Sequence, residues 1–592
     1  MGKTSISPKN HISYDSNINL YDAISISLSF VKGKLIMNIL PILYVGSKNN
    51  IIIDNEKKKT IINTTMSKWY NKKFDGKIKF WRDIIYNKVS GDISFKLGNY
   101  VLRFNPISIS SGGTDRQPLW ENVQRVELGE PIVAFNPDPN TACAVNQIQG
   151  LLSYGPIDFS FNNKISNRPS IKIAILSPSN GIAKLLQHLV KLKKCTNPST
   201  DKGFLRPYPG FEAVYKRGID IPDALDSRFC IAYDDKKALS LSIDDYFANL
   251  KRIIDDISLY KTEFDILIVY IPDAFSKFRE IKTENHCFDL HDSLKLYCAD
   301  KGIKVQMLEE RSIKFYDAGK VMWGLSTALY TKVNGLLWRP AKYDEKTAFV
   351  GISYAQKQDE NNCYAIGCSQ LFDSLGNGMR LLLKPIHNPQ IIRRNPFMKS
   401  EDARLMLSKL RELYYDSEPA SKLKRVVIHK TTFFTKEEIK GISQALLGID
   451  DIELLQIQEY SHWRGIRYGD KMSDGASPYP IKRGTVIKLD DESFLLWTHG
   501  AVMHLELEGE NRNYFKGGRG IPSPLLIKRF LGKAPIETVA NEILMLTKMN
   551  WNSGDSFYKI LPVTLDFSKT LSRMAKQKEA LYNKPYDFRY FM

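Results

Sequence analysis

The spacing of apolar residues changes along the chain, and the changes mark out its elements. From Ile18 to about Ser160, short β-type runs such as ISISLSF (24–30) and KLIMNILPILYV (34–45) are separated by turns rich in Asn, Lys and Gly. Residues 109–116, ISSGGTDR, read as a loop, and 131–144 as a connector rich in Pro and Asn. At Ile171 the pattern shifts. The run IKIAIL (171–176) is followed by SPSNG and then by apolar residues at 182, 185, 186, 189 and 190, which is helical spacing. A second continuous run, FDILIVYIP (264–272), precedes a predicted helix over His291 to Lys301, a strand IKVQML and a helix from about Val321 to Val333. Alternation of this kind builds a parallel sheet with helices on its faces.

A further unit begins near Thr347. The strands TAFVGISYA, CYAIGCSQLF and MRLLLKPI follow one another closely enough to be antiparallel neighbours. They are followed by a helix over about 400–416, the strand RVVIHKT, a second helix and the strand IELLQIQEY. Thr435 and Glu438 fit a capping box at the start of that second helix.

Composition narrows the function. The chain has 592 residues, 43% of them hydrophobic, which suits globular cores in roughly three or four domains. Its 84 Lys and Arg against 65 Asp and Glu give a formal charge of +19, which favours a polyanionic partner, nucleic acid first, although a solvated basic surface would give the same sum. Seven cysteines without a CxxC pair argue against a disulfide scaffold or a zinc ribbon. No signal region and no apolar run of the roughly 20 residues that a membrane span needs are present, so a cytoplasmic protein with no membrane insertion is expected. Gly2-Lys3-Thr4 lacks the preceding strand and glycine of a phosphate loop.

The order of these units, with several local strings, resembles the Argonaute family from about residue 20 onward. The strings LLWRPAKYDEKTAFVGISYA (336–355), RVVIHKTTFF (425–434), RGTVIKLDDESFLLWTHG (483–500), GIPSPLLIKRF (520–530), LTKMNWNS (546–553) and LPVTLDFS (561–568) are similar to the PIWI domain of prokaryotic members. Residues 171–340 look like the MID domain. LWENVQRVELGEP and QIQGLLSYGP resemble the second linker. The resemblance implies an α/β protein: a Rossmann-like MID domain (166–340) and an RNase H-like PIWI domain (341–592), after a β-rich N and linker region (1–165) of the APAZ type. It leaves no room for a PAZ domain.

Several residues acquire roles through this resemblance. His291 and Lys295 lie four apart on one predicted helix and so share a face. Gln306 follows on the next strand, and Lys332 falls on the apolar face of its helix, where a charge needs an anion to meet it. The set resembles the MID motif that grips a guide 5′ phosphate. Read residue by residue, without the family, His291 and Lys295 are equally surface groups and Lys332 a snorkelling one. In the family the C-terminal carboxylate, here that of Met592, helps to hold a Mg²⁺ ion beside that phosphate; an ordinary packed terminus is the alternative for the FRYFM tail.

Cutting members of the family use four acidic residues to place two divalent ions. At the matching positions this chain has Ser353, Lys430 and, for the fourth, Lys528 and Arg529, while the loop DSLGNGMR (373–380) has no Glu. The expectation is therefore loss of target cleavage, the cationic groups in the cleft holding a phosphate backbone instead. A guide-dependent endonuclease with a displaced acidic set is the alternative. Further backbone candidates are Arg464, Arg467, Lys482, Arg483, Lys548, Asn550 and Asn552, set among Trp463, Tyr468 and Trp551, which either stack on bases or pack in cores. The expected partners are a guide strand (RNA favoured), a complementary target (DNA favoured) and an effector protein acting in trans: NAD-consuming, a nuclease, a helicase-nuclease or a membrane toxin. The expected role is defence against plasmids and phages.

Overall fold

A computed structural model describes residues 3–13, 18–31, 34–47, 58, 60–62, 93–97, 100–104, 124–136, 140–159, 169–197, 207–226, 228–282, 287–342, 346–356, 364–371, 380–386, 388–393, 395–417, 422–459, 461, 463–465, 467, 480–507, 510–514, 522–551, 559–577, 580, 582 and 584–592. The loop readings at 109–116 and most of 373–380, together with Asn552 and Tyr468, lie outside them. The chain divides into two compact units, residues 1–130 with 458–528, and residues 131–457 with 529–592.

The first unit is β-rich. Lys3–Ser13, Ile18–Val31 and Lys34–Ser47 form an antiparallel meander, and Ile93–Leu97 pairs with Tyr100–Phe104 as a hairpin. Arg125–Glu127, Thr485–Lys488, Ser493–Leu496 and residues 525–528 pair antiparallel in that order. Leu489, Leu495 and Trp497 form a small core there, with Ile36, Trp463 and Ile481 packed against it.

The second unit holds two α/β sheets. In the first, β1 (Ile171–Pro178) pairs in parallel with β2 (Cys230–Tyr233) on one edge and with β3 (Ile266–Ile271) on the other, and β3 pairs with β4 (Val305–Glu309). All six residues of β3 are buried, as a strand covered on both faces requires. The helices are α1 (Ile182–Val190), α2 (Ile243–Ser258), α3 (Leu290–Lys301) and α4 (Ala318–Lys332). α2 buries Tyr246, Phe247, Leu250, Ile254 and Ile257 on one stripe and begins at Ser242, whose side chain accepts from the Asp245 amide. α4 ends where Asn334 adopts a left-handed φ of 69°, followed by Gly335, where an added Cβ would come within 2.3 Å of the Tyr330 ring.

The other sheet contains β5 (Thr347–Gln356), β6 (Tyr364–Leu371), β7 (Arg380–Ile386), β8 (Arg425–Lys430) and β9 (Asp451–Gln458), with α5 (Ser400–Ser417) and α6 (Lys436–Ala445) between the later strands. The order is β7-β6-β5-β8-β9, antiparallel through β5 and parallel beyond it, the RNase H-like arrangement. Even-numbered residues of β5 and β8 (Ala348, Val350, Ile352, Val426, Ile428) pack with α5 and α6. Odd-numbered positions face α8 (Val563–Met574), which follows α7 (Ile536–Leu546), and the tail strand β10 (Pro585–Asp587) pairs with β7. Both capping-box bonds between Thr435 and Glu438 are present. The stretch 131–144, read as a connector, contains two short paired strands, Val133–Ala134 and Cys143–Ala144, because Val133, Ala134 and Phe135 are fully buried. Among the described residues no helix is long and apolar enough to cross a membrane.

Candidate functional site

The amino end of β4, the first turns of α3, the last turn of α4 and the tail of the chain meet in the second unit. The tail is tied down before it arrives. Asp587 accepts from the Arg589 amide, Tyr586 and Phe591 set their rings 5.1 Å apart, and Phe588 lies against Phe567 and Trp551. Phe591 and Met592 are buried in consequence.

Two lysines converge on this end. Lys295 Nζ donates to the Met592 main-chain oxygen at 2.8 Å and to that of Phe591 at 3.2 Å. Lys332 Nζ donates to the same Met592 oxygen at 2.6 Å and to the Val305 carbonyl at 2.9 Å. Both side chains are buried, Lys332 completely. Burial pushes Lys295 down to about 8, an effect that Asp292 partly offsets. Lys332 is pushed well below its ordinary value by burial, with Lys295 and Lys304 adding repulsion. Next to Val305, Gln306 donates through Nε2 to the Met307 carbonyl, and its Oε1 is buried without a hydrogen-bond partner.

His291 stands one turn before Lys295, half exposed, with Nδ1 3.3 Å from Asp292 Oδ1. Its pKa is lowered by burial and by Lys295, against the pull of Asp292. Asp289, His291 and Asp292 bring one ligand atom each within 4.8 Å of the others. Asp292 is fully buried, however, and both its oxygens are taken by Arg573, at 2.5 Å from Nε and 2.8 Å from Nη2. Asp289 accepts from the Asp292 amide as the α3 N-cap. The trio is held as an ion-pair network rather than offered to a metal. The structure thus brings Lys295, Lys332 and Met592 together, with His291 on the same helix as Lys295. Sequence reading missed Asp292 and Arg573, and nothing in the spacing of residues 281 apart could have linked them.

The RNase H-like sheet carries the next group. Ser353 on β5 faces α8, where its hydroxyl meets the Ser568 carbonyl and the Ser572 hydroxyl. His429 on β8 faces the same helix through Thr564, 2.8 Å away, and burial pushes it down to about 3, so it is neutral. Lys430 corrects an expectation. Its ammonium does not line a cleft beside Ser353: as an even-numbered residue of β8 it points to the opposite face of the sheet, toward α6. There it is buried 2.5 Å from Glu438 Oε1 and lies over the rings of Tyr354, Phe397 and Phe434 at 4.8–5.0 Å. A lysine so enclosed has no phosphate to meet. Arg529 likewise pairs with Glu453 at 3.0 Å and donates to the Ala534 carbonyl, while Lys528 is exposed. Lys569, next to Ser568 on α8, was not singled out from sequence; partial burial lowers its pKa.

Of the other candidates, several are interior ties. Lys548 is buried and donates to the Pro131 and Val145 carbonyls at 2.7 and 2.9 Å, stapling that segment in place. Asn550 is bonded to Asp566. In the first unit Arg483 is buried against Glu130 and the Thr498 carbonyl, Lys482 meets Glu127 at 2.9 Å, and Arg464 donates to the Ser461 and Trp463 carbonyls. Arg467 is half-buried. Trp463 packs against the small core of the first unit and Trp551 is buried in the large core of the second.

No family model matches the sequence. The chain is 22% identical over 334 residues to the Argonaute of Aquifex aeolicus (strain VF5), a match covering 56% of this chain and 41% of that protein. Its structure is similar to Clostridium butyricum Argonaute bound to a guide DNA with a 5′ deoxycytidine and a 19-mer target DNA, with a TM-score of 0.62 and 14% identity. That likeness covers 97% of this chain and 66% of the other. Drosophila Piwi gives 0.60 at 10% identity, covering 100% and 83% of the two chains. Marinitoga piezophila Argonaute with a 5′ OH guide RNA and target DNA gives 0.57 at 11%, covering 96% and 81%. The fold is therefore the MID–PIWI architecture shared by Argonaute and Piwi proteins, with a β-rich N-terminal region. In sequence as well as in fold the chain is thus similar to Argonaute proteins, and it spans about two fifths of the length of its curated relative.

Proposed function

We propose that this chain is a guide-programmed recognition protein that holds the 5′ phosphate of a guide strand and pairs the guide with a target. The observation that carries this reading is the convergence of two buried ammonium groups on one oxygen at Met592. Two desolvated cations sharing one acceptor leave positive charge unmet, and a phosphate dianion supplies both charge and oxygen acceptors. His291, four residues before Lys295, and Gln306 complete the set. A Mg²⁺ ion beside the phosphate would draw on oxygen donors, the Met592 carboxylate and Gln306 Oε1, which is buried without a hydrogen-bond partner. Residues 166–340 then serve as the MID domain, 341–592 as PIWI and 1–165 as an N and linker region, with no PAZ domain.

In this reading the RNase H-like centre does not cut. Ser353 offers a hydroxyl already engaged by α8, and Lys430 is ion-paired on the far face. Bound target is instead signalled to an effector on another chain, in cytoplasmic defence against plasmids and phages. RNA as guide and DNA as target are the favoured pair.

The test is direct binding of short strands that differ only in carrying a 5′ phosphate or a 5′ hydroxyl. The phosphorylated strand is expected to bind at least tenfold more tightly, on the order of one charge-assisted hydrogen bond. Equal binding overturns the pocket, and one of the structural neighbours carries a 5′ OH guide, so the outcome is open to measurement. Incubation of the loaded protein with target and Mn²⁺ tests the other half: cleavage abolished by a chelator overturns it.

A further inference from the structure

Between His291 and α8 runs a chain of charge-assisted contacts that phosphate binding by itself does not use. Asp292 is fully buried, yet its Oδ1 reaches the half-exposed His291 ring at 3.3 Å. Arg573 closes on both Asp292 oxygens as a planar fork, and its own side chain is 56% exposed. One turn further, Gln577 Oε1 accepts from the Asp289 amide and from the Ser293 hydroxyl, each at 3.1 Å. The start of α3 is thereby fastened to α8 and to the turn that follows it, on either side of His291.

Burial alone would raise the pKa of the Asp292 carboxylate; His291 and Arg573 together hold it below its ordinary value, so it stays an anion. Left unpaired, that anion would repel a phosphate arriving at the adjacent imidazole. Paired, it is neutralised on one side and still accepts from His291 Nδ1 on the other.

We propose that Asp292 and Arg573 are positioning residues for the guide pocket: Arg573 fixes and neutralises the Asp292 carboxylate, which holds the His291 ring so that Nε2 is the edge presented to the 5′ phosphate. This rests on the guide-phosphate reading above. Arg573 acts through Asp292 and His291, so its effect is specific to phosphorylated strands and depends on His291.

The experiment measures fluorescence anisotropy of 5′-phosphorylated and 5′-hydroxyl strands on the full chain, for Arg573→Met, Arg573→Lys, His291→Ala and the double variant Arg573→Met with His291→Ala. Arg573→Met is expected to reduce the phosphate preference about tenfold, the scale of one charge-assisted bond. Arg573→Lys should restore part of it, and Arg573→Met should change the preference less than about twofold once His291 is Ala. Asp292→Asn, which keeps the shape, repeats the cycle if Arg573→Met does not fold. Equal weakening of both strands, or an unchanged cost in the absence of His291, overturns the positioning role while leaving the pocket intact. Absence of any phosphate preference in the unaltered chain removes the pocket, and this role with it.

Discussion

Lys295 and Lys332 show how far a single residue can be read before the fold is known. The helical spacing of Lys332 after Leu325 placed it on an apolar face, and the structure buries it completely. What spacing could not supply was its partner, an oxygen 260 residues away in sequence. Lys295→Ala and Lys332→Ala are each expected to weaken binding of a phosphorylated strand by roughly tenfold or more while leaving the hydroxyl strand nearly unchanged, measured by titration. The pH dependence has a definite sign. Lys295 titrates near 8 in the folded chain against an ordinary 10.5. Below 8 both folded and unfolded forms are protonated, and this group gives stability no slope. Between 8 and 10.5 the unfolded chain binds the proton that the folded chain has lost, so the contribution of Lys295 to stability rises with pH across that window. Phosphate affinity falls over the same window, because the neutral amine no longer meets the dianion. Melting temperature and strand affinity compared with those of Lys295→Met between pH 7 and about 10 should diverge in opposite directions; parallel movement would show that Lys295 does not titrate there.

At the level of elements, most strands and helices of the two α/β sheets were legible because their apolar runs are long and cleanly bounded, as with IKIAIL, ILIVYI and the capping box at Thr435. The direction of a side chain relative to the sheet was not. By string, Ser353 and Lys430 match two of the four acidic positions of the cutting members, yet the register pairs Ile352 with Lys430, so Ser353 and Lys430 leave the sheet on opposite faces. Placing acids at both positions, Ser353→Asp with Lys430→Asp, is therefore expected not to create Mn²⁺-dependent target cleavage; any guide-directed product from that variant would contradict the register. The Lys430 contact is instead a structural one between β8 and α6. Glu438→Ala strands the ammonium among three rings and should destabilise the second unit by about 3–5 kcal/mol, whereas Glu438→Gln with Lys430→Met should lie much closer to the unaltered chain. Chemical denaturation distinguishes the two. The short strands at 133–134 and 143–144 escaped the sequence reading for a different reason: two residues are too few to show a period.

Over the whole molecule, the charge of +19 and the buried lysine pair contribute to strand binding in different ways. Exposed lysines act by releasing counterions, so their contribution falls steeply as salt rises, with a slope of about −0.7 per phosphate neutralised on a single strand. Several of the arginines and lysines that the sequence offers as backbone contacts are tied into the protein, among them Lys548, Arg483 and Arg529, so the surface contribution comes from other members of the basic set. Lys295 and Lys332 are enclosed by protein, and salt screens such groups much less. Raising salt from about 50 to 200 mM should then weaken both phosphorylated and hydroxyl strands by an order of magnitude or more, while the ratio between them changes by less than about twofold. A ratio that collapses together with the affinities would mean that the terminal phosphate is read at the exposed surface, and that the buried pair serves only to anchor the tail at Met592.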